Sequence, residues 1–278
     1  MYLNKKSGVL FVTIIIIWTW GILAAPIALG LCFENTFTRI TYVLAGASPS
    51  IFGLVLTFFL RDRTYMCSFL KRIITVDKAR AKHILSVFML VPSIRFFSTY
   101  VNFIFSSVPL NFSRLVAYFK DPAGFVLFAV FTFIFGPFAE EIGWRGYLLD
   151  CWKDKGIWTY GVGIGFIWAL WHLPMFFIEG TYQNSLLLQG SIPVICFAFS
   201  TTVLGVIIGQ VTRITNSILL AILFHFTVNF AGELIPLVPT GEIINTVILT
   251  TIAFAIICKN SIKRKRCHET EALDKNET

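Results

Sequence analysis

The sequence predicts an all-α protein, built as a polytopic transmembrane bundle of about eight helices. Of its 278 residues, 56% are hydrophobic and only 14% are charged, whereas about 25% are charged in soluble domains. Apolar segments recur along the chain at roughly the 20-residue length that crosses a bilayer as a helix. A transmembrane β-barrel would instead show short segments of alternating hydrophobicity.

Eight apolar segments form the predicted spans, and together they make one transmembrane domain, residues 1–258. The first follows Lys5 and Lys6 and exceeds the apolar core of about 7–15 residues that a secretory signal has, so we expect it to be retained. Residues 259–278 are basic and then polar, which predicts a disordered cytoplasmic tail. The spans are residues 8–31, 40–60, 84–105, 122–140, 160–178, 190–209, 214–232 and 242–258.

The Lys and Arg residues between these spans are distributed unevenly. Nineteen fall on the side that holds both termini, and only Arg39, Arg114 and Lys120 fall on the other. Because cytoplasmic loops carry an excess of Lys and Arg, we predict a multi-pass protein of the cell membrane with both termini in the cytoplasm. The net charge of +8 lies in these loops, so we expect the lipid bilayer, and no nucleic acid, as a partner.

Two groups of basic residues stand out from this pattern. The segment 62–82 mixes basic with aromatic and aliphatic residues, which is typical of an interfacial helix on anionic lipid. Arg95 falls inside the third predicted span, after Pro92. It is expected either to pair with a loop group or to line a polar cavity.

Two adjacent carboxylates, Glu140 and Glu141, end the fourth predicted span, and Arg145 follows them. Ionisable side chains at membrane depth cost about 2.5–3.5 kcal/mol on insertion scales, so they are functional candidates by default. Glu141 and Arg145 stand four residues apart in the order that favours an ion pair on one helix face. Glu140 then points about 100° away, towards another helix.

The other polar residues at membrane depth are His172 in the fifth span and His225 and Asn229, one turn apart, in the seventh. A carboxylate beside a His can take a proton from water, while a second His and an amide can donate hydrogen bonds to an oxyanion. Alternatively, Glu140, His172 and His225 are plausible ligands for one divalent metal ion, zinc first among them. The H-E-x-x-H motif of soluble metalloproteases is absent, and spacing leaves both readings open.

Three ordered motifs carry a resemblance to a known family. E-E-x-x-x-R matches Glu140, Glu141 and Arg145; F-x-x-x-H matches at His172, with Trp168 in the Phe position; and H-x-x-x-N/D matches His225 and Asn229. The chain thus resembles the CAAX-protease and bacteriocin-processing (CPBP, or Abi) family of intramembrane endopeptidases, which includes the type II CAAX prenyl endopeptidases.

The resemblance implies a polar intramembrane cavity that opens to the cytoplasmic side. Glu140 and His172 would activate water, His225 and Asn229 would form the oxyanion site, and Glu141 and Arg145 would support the geometry. The substrate would be a membrane-associated peptide or protein, prenylated at a CAAX-type terminus or carrying a leader peptide. The family has been described both with and without a metal, and we favour the version without a cofactor.

Two other functions stay open at this point. The first is a non-catalytic scaffold or bacteriocin-immunity protein of the same fold. The second is a transporter that uses Glu140 and Glu141 for proton coupling, although no internal repeat of the kind common in transporters is evident. The predicted spans also leave a mismatch, since Glu140 lies at the end of one span and His172 about 12 residues, or ~18 Å, into the next. We therefore expect the fifth span to start later than residue 160, or to enter tilted.

Overall fold

The computed structural model describes residues 5–76, 82–106, 109 and 111–276, with side chains for 6–76, 83–106, 109 and 111–263. Within these ranges the chain forms helices joined by loops and contains no strand, which confirms the predicted all-α class. The helices are α1 Lys5–Ala28, α2 Thr36–Gly46, α3 Ser48–Leu60, α4 Arg63–Ile74, α5 Lys82–Ser106, α6 Ser113–Lys120, α7 Pro122–Lys155, α8 Trp158–Phe177, α9 Tyr182–Leu188, α10 Ser191–Thr215, α11 Ile218–Leu234 and α12 Pro239–Asn276.

The described part of the chain contains six helices that are long and apolar enough to cross a membrane: α1, α5, α7, α8, α10 and the first part of α12, Pro239–Lys263. The pair α2 and α3, bent by 45°, forms a seventh candidate span. The apolar α11 has 17 residues, or ~26 Å, at the lower limit for a span. These eight segments follow the predicted order, and the chain is a multi-pass membrane protein.

The fourth predicted span, 122–140, is too short. In the structure α7 continues to Lys155, and every residue from Ile142 to Leu148 is buried. The charges of Glu141, Arg145 and Asp150 are typical of a loop, but each of them is paired with a protein partner inside the bundle. Hydropathy alone cannot distinguish a charged loop from a helix whose charges are paired with neighbouring helices.

The longer α7 removes the depth mismatch between the two halves of the site. Glu140 lies 15 residues before the end of α7 at Lys155, and His172 lies 14 residues after the start of α8 at Trp158. The two residues are therefore at similar depths in neighbouring helices. The expected later start of the fifth span was wrong, since α8 begins at Trp158, although its first segment, Trp158–Gly163, is irregular and π-helical.

Two π-helical segments in α7, Ile134–Phe138 and Ile142–Leu148, flank the turn Ala139–Glu141 that carries both carboxylates. π-Helical turns are rare and occur often at functional sites. They loosen the regular hydrogen bonding of the backbone, and the Ser50 hydroxyl donates to the carbonyl oxygen of Phe138 at 2.9 Å. The carboxylates thus occupy a short regular turn between two widened ones.

Glycines allow the helices around the site to pack backbone to backbone. A Cβ added at Gly53 of α3 would lie 2.9 Å from the Cα of Gly143 in α7. A Cβ added at Gly205 of α10 would overlap the backbone of Gly165 in α8. Small residues at helix crossings permit such close approach in membrane proteins. These two crossings hold α7 and α8 against the rest of the bundle.

The basic segment 62–82 contains α4, and residues 77–81 of it lie outside the described residues. Asp62 caps α4, accepting from the backbone N–H of Tyr65 at 2.8 Å. Arg72 Nη1 and the Tyr65 hydroxyl each donate to Asp150 Oδ2 of α7 at 2.6 Å. Burial and the negative charge of Asp150 raise the pKa of Tyr65 above its ordinary value, so this hydroxyl stays protonated and keeps donating at neutral pH.

Arg95 pairs with the segment between α11 and α12 and with the start of α12. Its Nε donates to the carbonyl oxygen of Ile235 at 3.0 Å, and its Nη2 lies 3.5 Å from Glu242 Oε1. The first of the two expectations for Arg95, pairing with a loop group, is the one that matches these contacts. Helix α12 extends as far as Asn276, and residues 277–278 lie outside the described part. The disorder predicted for residues 259–278 stays a prediction.

Prediction. Gly205→Ala forces a methyl group into the backbone of α8, and overpacking of this kind costs about 1–3 kcal/mol. We expect the detergent-solubilised protein to melt at a lower temperature. Its unfolding can be measured by intrinsic fluorescence. Gly21→Ala is the matched control, since an added Cβ there meets nothing within 4 Å. Identical melting of Gly205→Ala and wild type would contradict the close crossing of α8 and α10.

Candidate active site

The carboxylate of Glu141 is the electrostatic centre of the site. Its Oε1 accepts from Arg145 Nη1, one turn further along α7, at 2.6 Å. The same oxygen accepts from His225 Nδ1 of α11 at 2.9 Å. The side chains of Glu141 and Arg145 are both 0% exposed. The ion pair that the spacing predicts is therefore present and fully buried. The hydrogen bond from His225 joins the seventh predicted span to the fourth.

Glu140 points to a different helix, as its position beside Glu141 predicts. Its Oε2 accepts from the indole N–H of Trp168 in α8 at 2.7 Å. Glu140 is 7% exposed and Trp168 is 3% exposed. Adjacent carboxylates on α7 thus have separate partners, with Glu141 bound to cations and Glu140 bound to one neutral donor. This difference leaves Glu140 available for proton transfer.

Trp168 contacts four of the six residues predicted for the site. Besides the bond to Glu140, its carbonyl oxygen lies 2.8 Å from His172 Nδ1. The Arg145 guanidinium lies over the indole face, with Cζ 4.5 Å from the ring centroid, a distance that favours a cation–π interaction. The His225 ring meets the indole edge to face at 4.9 Å. The residues from α7, α8 and α11 therefore meet around one aromatic side chain.

The hydrogen bonds define which ring nitrogen of each His carries a proton. A carbonyl oxygen only accepts, so His172 must donate from Nδ1 to Trp168. An ionised carboxylate also only accepts, so His225 must donate from Nδ1 to Glu141. When either ring is neutral, its single proton is therefore on Nδ1. The other nitrogen, Nε2, then carries a lone pair that can accept a hydrogen bond.

Asn229 lies at the edge of this cluster. It is exposed, one turn beyond His225 on α11. Its Nδ2 lies above Gly136 of α7, where an added Cβ would come within 2.9 Å of it. Gly136 is itself one turn before Glu140. Five of the six predicted site residues are thus buried, whereas Asn229 is exposed and lies beside Gly136.

The alternative of a metal site was tested against the side chains. Among the residues that the structure describes, no three His, Cys, Asp or Glu side chains are grouped so that they could hold a metal ion. A zinc site needs at least three protein ligands around one point, and Glu140, His172 and His225 do not form such a group in this arrangement. The residues present do not fit the metal, and we route no chemical step through one.

Two functional features were missed in the sequence. The Trp at position 168 was interpreted only as a bulky aromatic replacement for Phe, although its N–H contacts Glu140. Asp150 was given no role, although it anchors Arg72 and Tyr65. The sequence indicated a partner for Asp150, since this acid ends an apolar stretch and the segment 62–82 contains several Lys and Arg residues. The signal for Trp168 was its N–H, which Phe does not have.

Comparisons with known proteins agree with this geometry. Residues 122–231, which contain all six site residues, match the family model described as type II CAAX prenyl endopeptidase, Rce1-like. A protein of Methanococcus maripaludis named CAAX prenyl protease 2 is 29% identical over 256 residues, which cover 89% of this chain and 90% of the relative. The chain is thus similar to Rce1-like type II CAAX prenyl endopeptidases, and it is a multi-pass membrane protease.

Proposed function

We propose that the protein is an intramembrane endopeptidase that hydrolyses a peptide bond of a membrane-associated protein, using water activated by Glu140 and His172. The observation that carries the proposal is the shared attachment of these two residues to Trp168, one through the indole N–H and one through the backbone carbonyl. This attachment joins a buried carboxylate from α7 and a buried imidazole from α8 to one residue.

The reaction begins with water held by Glu140 and the Nε2 lone pair of His172. Glu140 takes a proton from this water, and the oxygen forms a bond to the carbonyl carbon of the scissile peptide. The carbonyl electron pair moves to its oxygen and gives a tetrahedral oxyanion. When the C–N bond breaks, Glu140 returns the proton to the leaving amine. General acid–base catalysis of this kind contributes typically 10²- to 10⁴-fold.

The oxyanion is stabilised by donors from α11. The Asn229 amide donates directly from the accessible edge of the site. His225 already donates from Nδ1 to Glu141, so donation from Nε2 requires the doubly protonated ring. The carboxylate of Glu141 stabilises this imidazolium, in the way that a buried Asp orients and stabilises the His of a serine-protease triad. Arg145 pairs with Glu141 at 2.6 Å and holds its carboxylate in place for this role.

The substrate that we propose is a protein with a prenylated C-a-a-X terminus. The support is the similarity to the protein of Methanococcus maripaludis named CAAX prenyl protease 2. The Cys of a C-a-a-X terminus is the residue that carries the prenyl group. A lipid-modified end inserts its chain into the bilayer and so brings the neighbouring peptide bonds to the depth of a site between membrane helices. A leader peptide held at the membrane is the other substrate class.

We propose that the protein lies in the cell membrane with both termini in the cytoplasm and with the site open to that side. The asymmetry of Lys and Arg supports this orientation. Because Arg145 is buried in α7, it no longer counts among the Lys and Arg residues of the cytoplasmic side. The excess of Lys and Arg on that side remains. The basic helix α4 would then lie at the cytoplasmic surface, where anionic lipids attract it.

Prediction. Purified protein in liposomes should release the residues that follow the modified cysteine of a farnesylated C-a-a-X peptide, as measured by mass spectrometry. Glu140→Gln should lower kcat by roughly 10²- to 10⁴-fold, because the general base is removed. Glu242→Gln is the matched control, since this carboxylate also lies in a membrane helix but faces Arg95, away from the site.

Full turnover by Glu140→Gln would refute the assignment of the base. Equal cleavage of the unprenylated peptide would favour the leader-peptide class. If wild-type protein cleaves neither peptide but supports proton-coupled uptake in the same liposomes, the transporter alternative replaces the protease proposal.

Prediction. Gly136→Ala should lower kcat while leaving the melting temperature unchanged. The added methyl group lies 2.9 Å from Asn229 Nδ2, and only the end of a flexible side chain has to move. Loss of an oxyanion donor lowers kcat by roughly 10²- to 10³-fold. Displacement of the Asn229 amide should lower kcat by a smaller but measurable factor. Gly232→Ala on α11 is the control, since a Cβ there meets nothing within 4 Å. Equal kcat values for the two variants would argue against Asn229 as a donor.

Prediction. A chelator should leave the activity of the purified protein unchanged, because the proposed steps use only side chains and water. Elemental analysis of the same sample, by mass spectrometry after dialysis against metal-free buffer, gives an independent measurement. A stoichiometric zinc whose removal abolishes turnover and whose return restores it would overturn the metal-free proposal.

A further inference from the structure

We infer that Trp168 is a positioning residue for Glu140, in a role that the Phe of the family motif cannot fill. This inference rests on the proposed function, because it assigns a task to Trp168 through the general base. It goes beyond that function by naming a side chain outside the six predicted site residues on which turnover depends.

The geometry gives the indole N–H a specific task. It donates to Glu140 Oε2 at 2.7 Å, a short distance typical of a bond to an ionised acceptor. Both side chains are buried, so bulk water does not compete for this oxygen. The bond fixes the orientation of the carboxyl group and leaves Oε1 as the oxygen that faces the water to be activated.

The rest of the Trp168 environment shows why the ring alone does not account for the residue. The contacts with Arg145 and with His225 use the aromatic face and edge, and a Phe ring offers both. The contact with His172 uses the backbone carbonyl, which any residue offers. Only the bond to Glu140 requires an indole. A Phe at position 168 therefore removes one hydrogen bond and retains the other three types of contact.

The same helix contains a matched control. Trp171 is three residues further along α8, is buried to a similar extent, and donates its indole N–H to Thr19 Oγ1 at 2.8 Å. A Trp-to-Phe change there removes the same atoms and also breaks one buried hydrogen bond. Its acceptor is a hydroxyl of α1 that takes no part in the proposed reaction. The Trp171 ring also meets the His172 ring edge to face at 4.7 Å, a contact that a Phe ring can keep. A difference in turnover between the two variants therefore reports on the N–H bond to Glu140.

The kinetic experiment compares Trp168→Phe with Trp171→Phe in liposomes, using the farnesylated C-a-a-X peptide. We expect Trp168→Phe to lower kcat by roughly 10- to 100-fold with KM unchanged, because a misplaced catalytic group costs up to about 10²-fold. Trp171→Phe should keep the wild-type kcat and show a melting temperature lowered at least as much. A wild-type kcat in Trp168→Phe, or a raised KM with kcat unchanged, overturns the inference.

A second measurement does not depend on turnover. In protein labelled with ¹⁵N at the indole nitrogens, the Trp168 signal is assigned by its absence from Trp168→Phe. We expect Glu140→Ala to move this proton signal upfield as the bond to the carboxylate is lost, while the Trp171 signal stays in place. An unmoved Trp168 signal overturns the inference whatever the kinetic result.

The outcomes also separate this inference from the proposed function. If Glu140→Gln is inactive and Trp168→Phe is fully active, Glu140 keeps its role and Trp168 loses its own. If Glu140→Gln retains full turnover while the indole signal shifts as expected, the hydrogen bond exists but the general base has been misassigned.

Discussion

The buried carboxylate of Glu141 is the constraint on which the rest of this structure depends. A charge removed from water costs several kcal/mol unless its partners are well placed, and Glu141 meets this requirement with one cation from its own helix and one imidazole from α11. Its partners determine much of the architecture. Helix α7 must stay helical as far as Arg145, and α11 must present His225 at the same depth. Helix α8 then completes the cluster with Trp168.

Hydropathy was sufficient to predict the order of the apolar helices, because lipid imposes an apolar surface of fixed length on each span. It failed at the end of the fourth span. Residues 141–152 are buried in protein, and in that environment paired charges are tolerated within a helix. The error was therefore physical, since a rule that describes contact with lipid was applied to a segment that contacts other helices.

Motif spacing placed the six candidate side chains on the correct helices, and five of them are buried together in the structure. Spacing could not show what joins them, because Trp168 contacts four of them through four different groups: its N–H, its carbonyl, its ring face and its ring edge. It also could not show the protonation of the two His rings, which depends on the acceptor opposite each Nδ1. Such information exists only between segments that are distant in the chain.

The attachment of α4 to Asp150 has a consequence for the whole membrane face of the protein. Asp150 lies ten residues after Glu140 on α7, or ~15 Å along the same helix. Phe69 of α4 also packs against Gly146 of α7. The peripheral helix α4 is therefore attached at two points to the helix that carries Glu140. A displacement of α4 would pull directly on that helix.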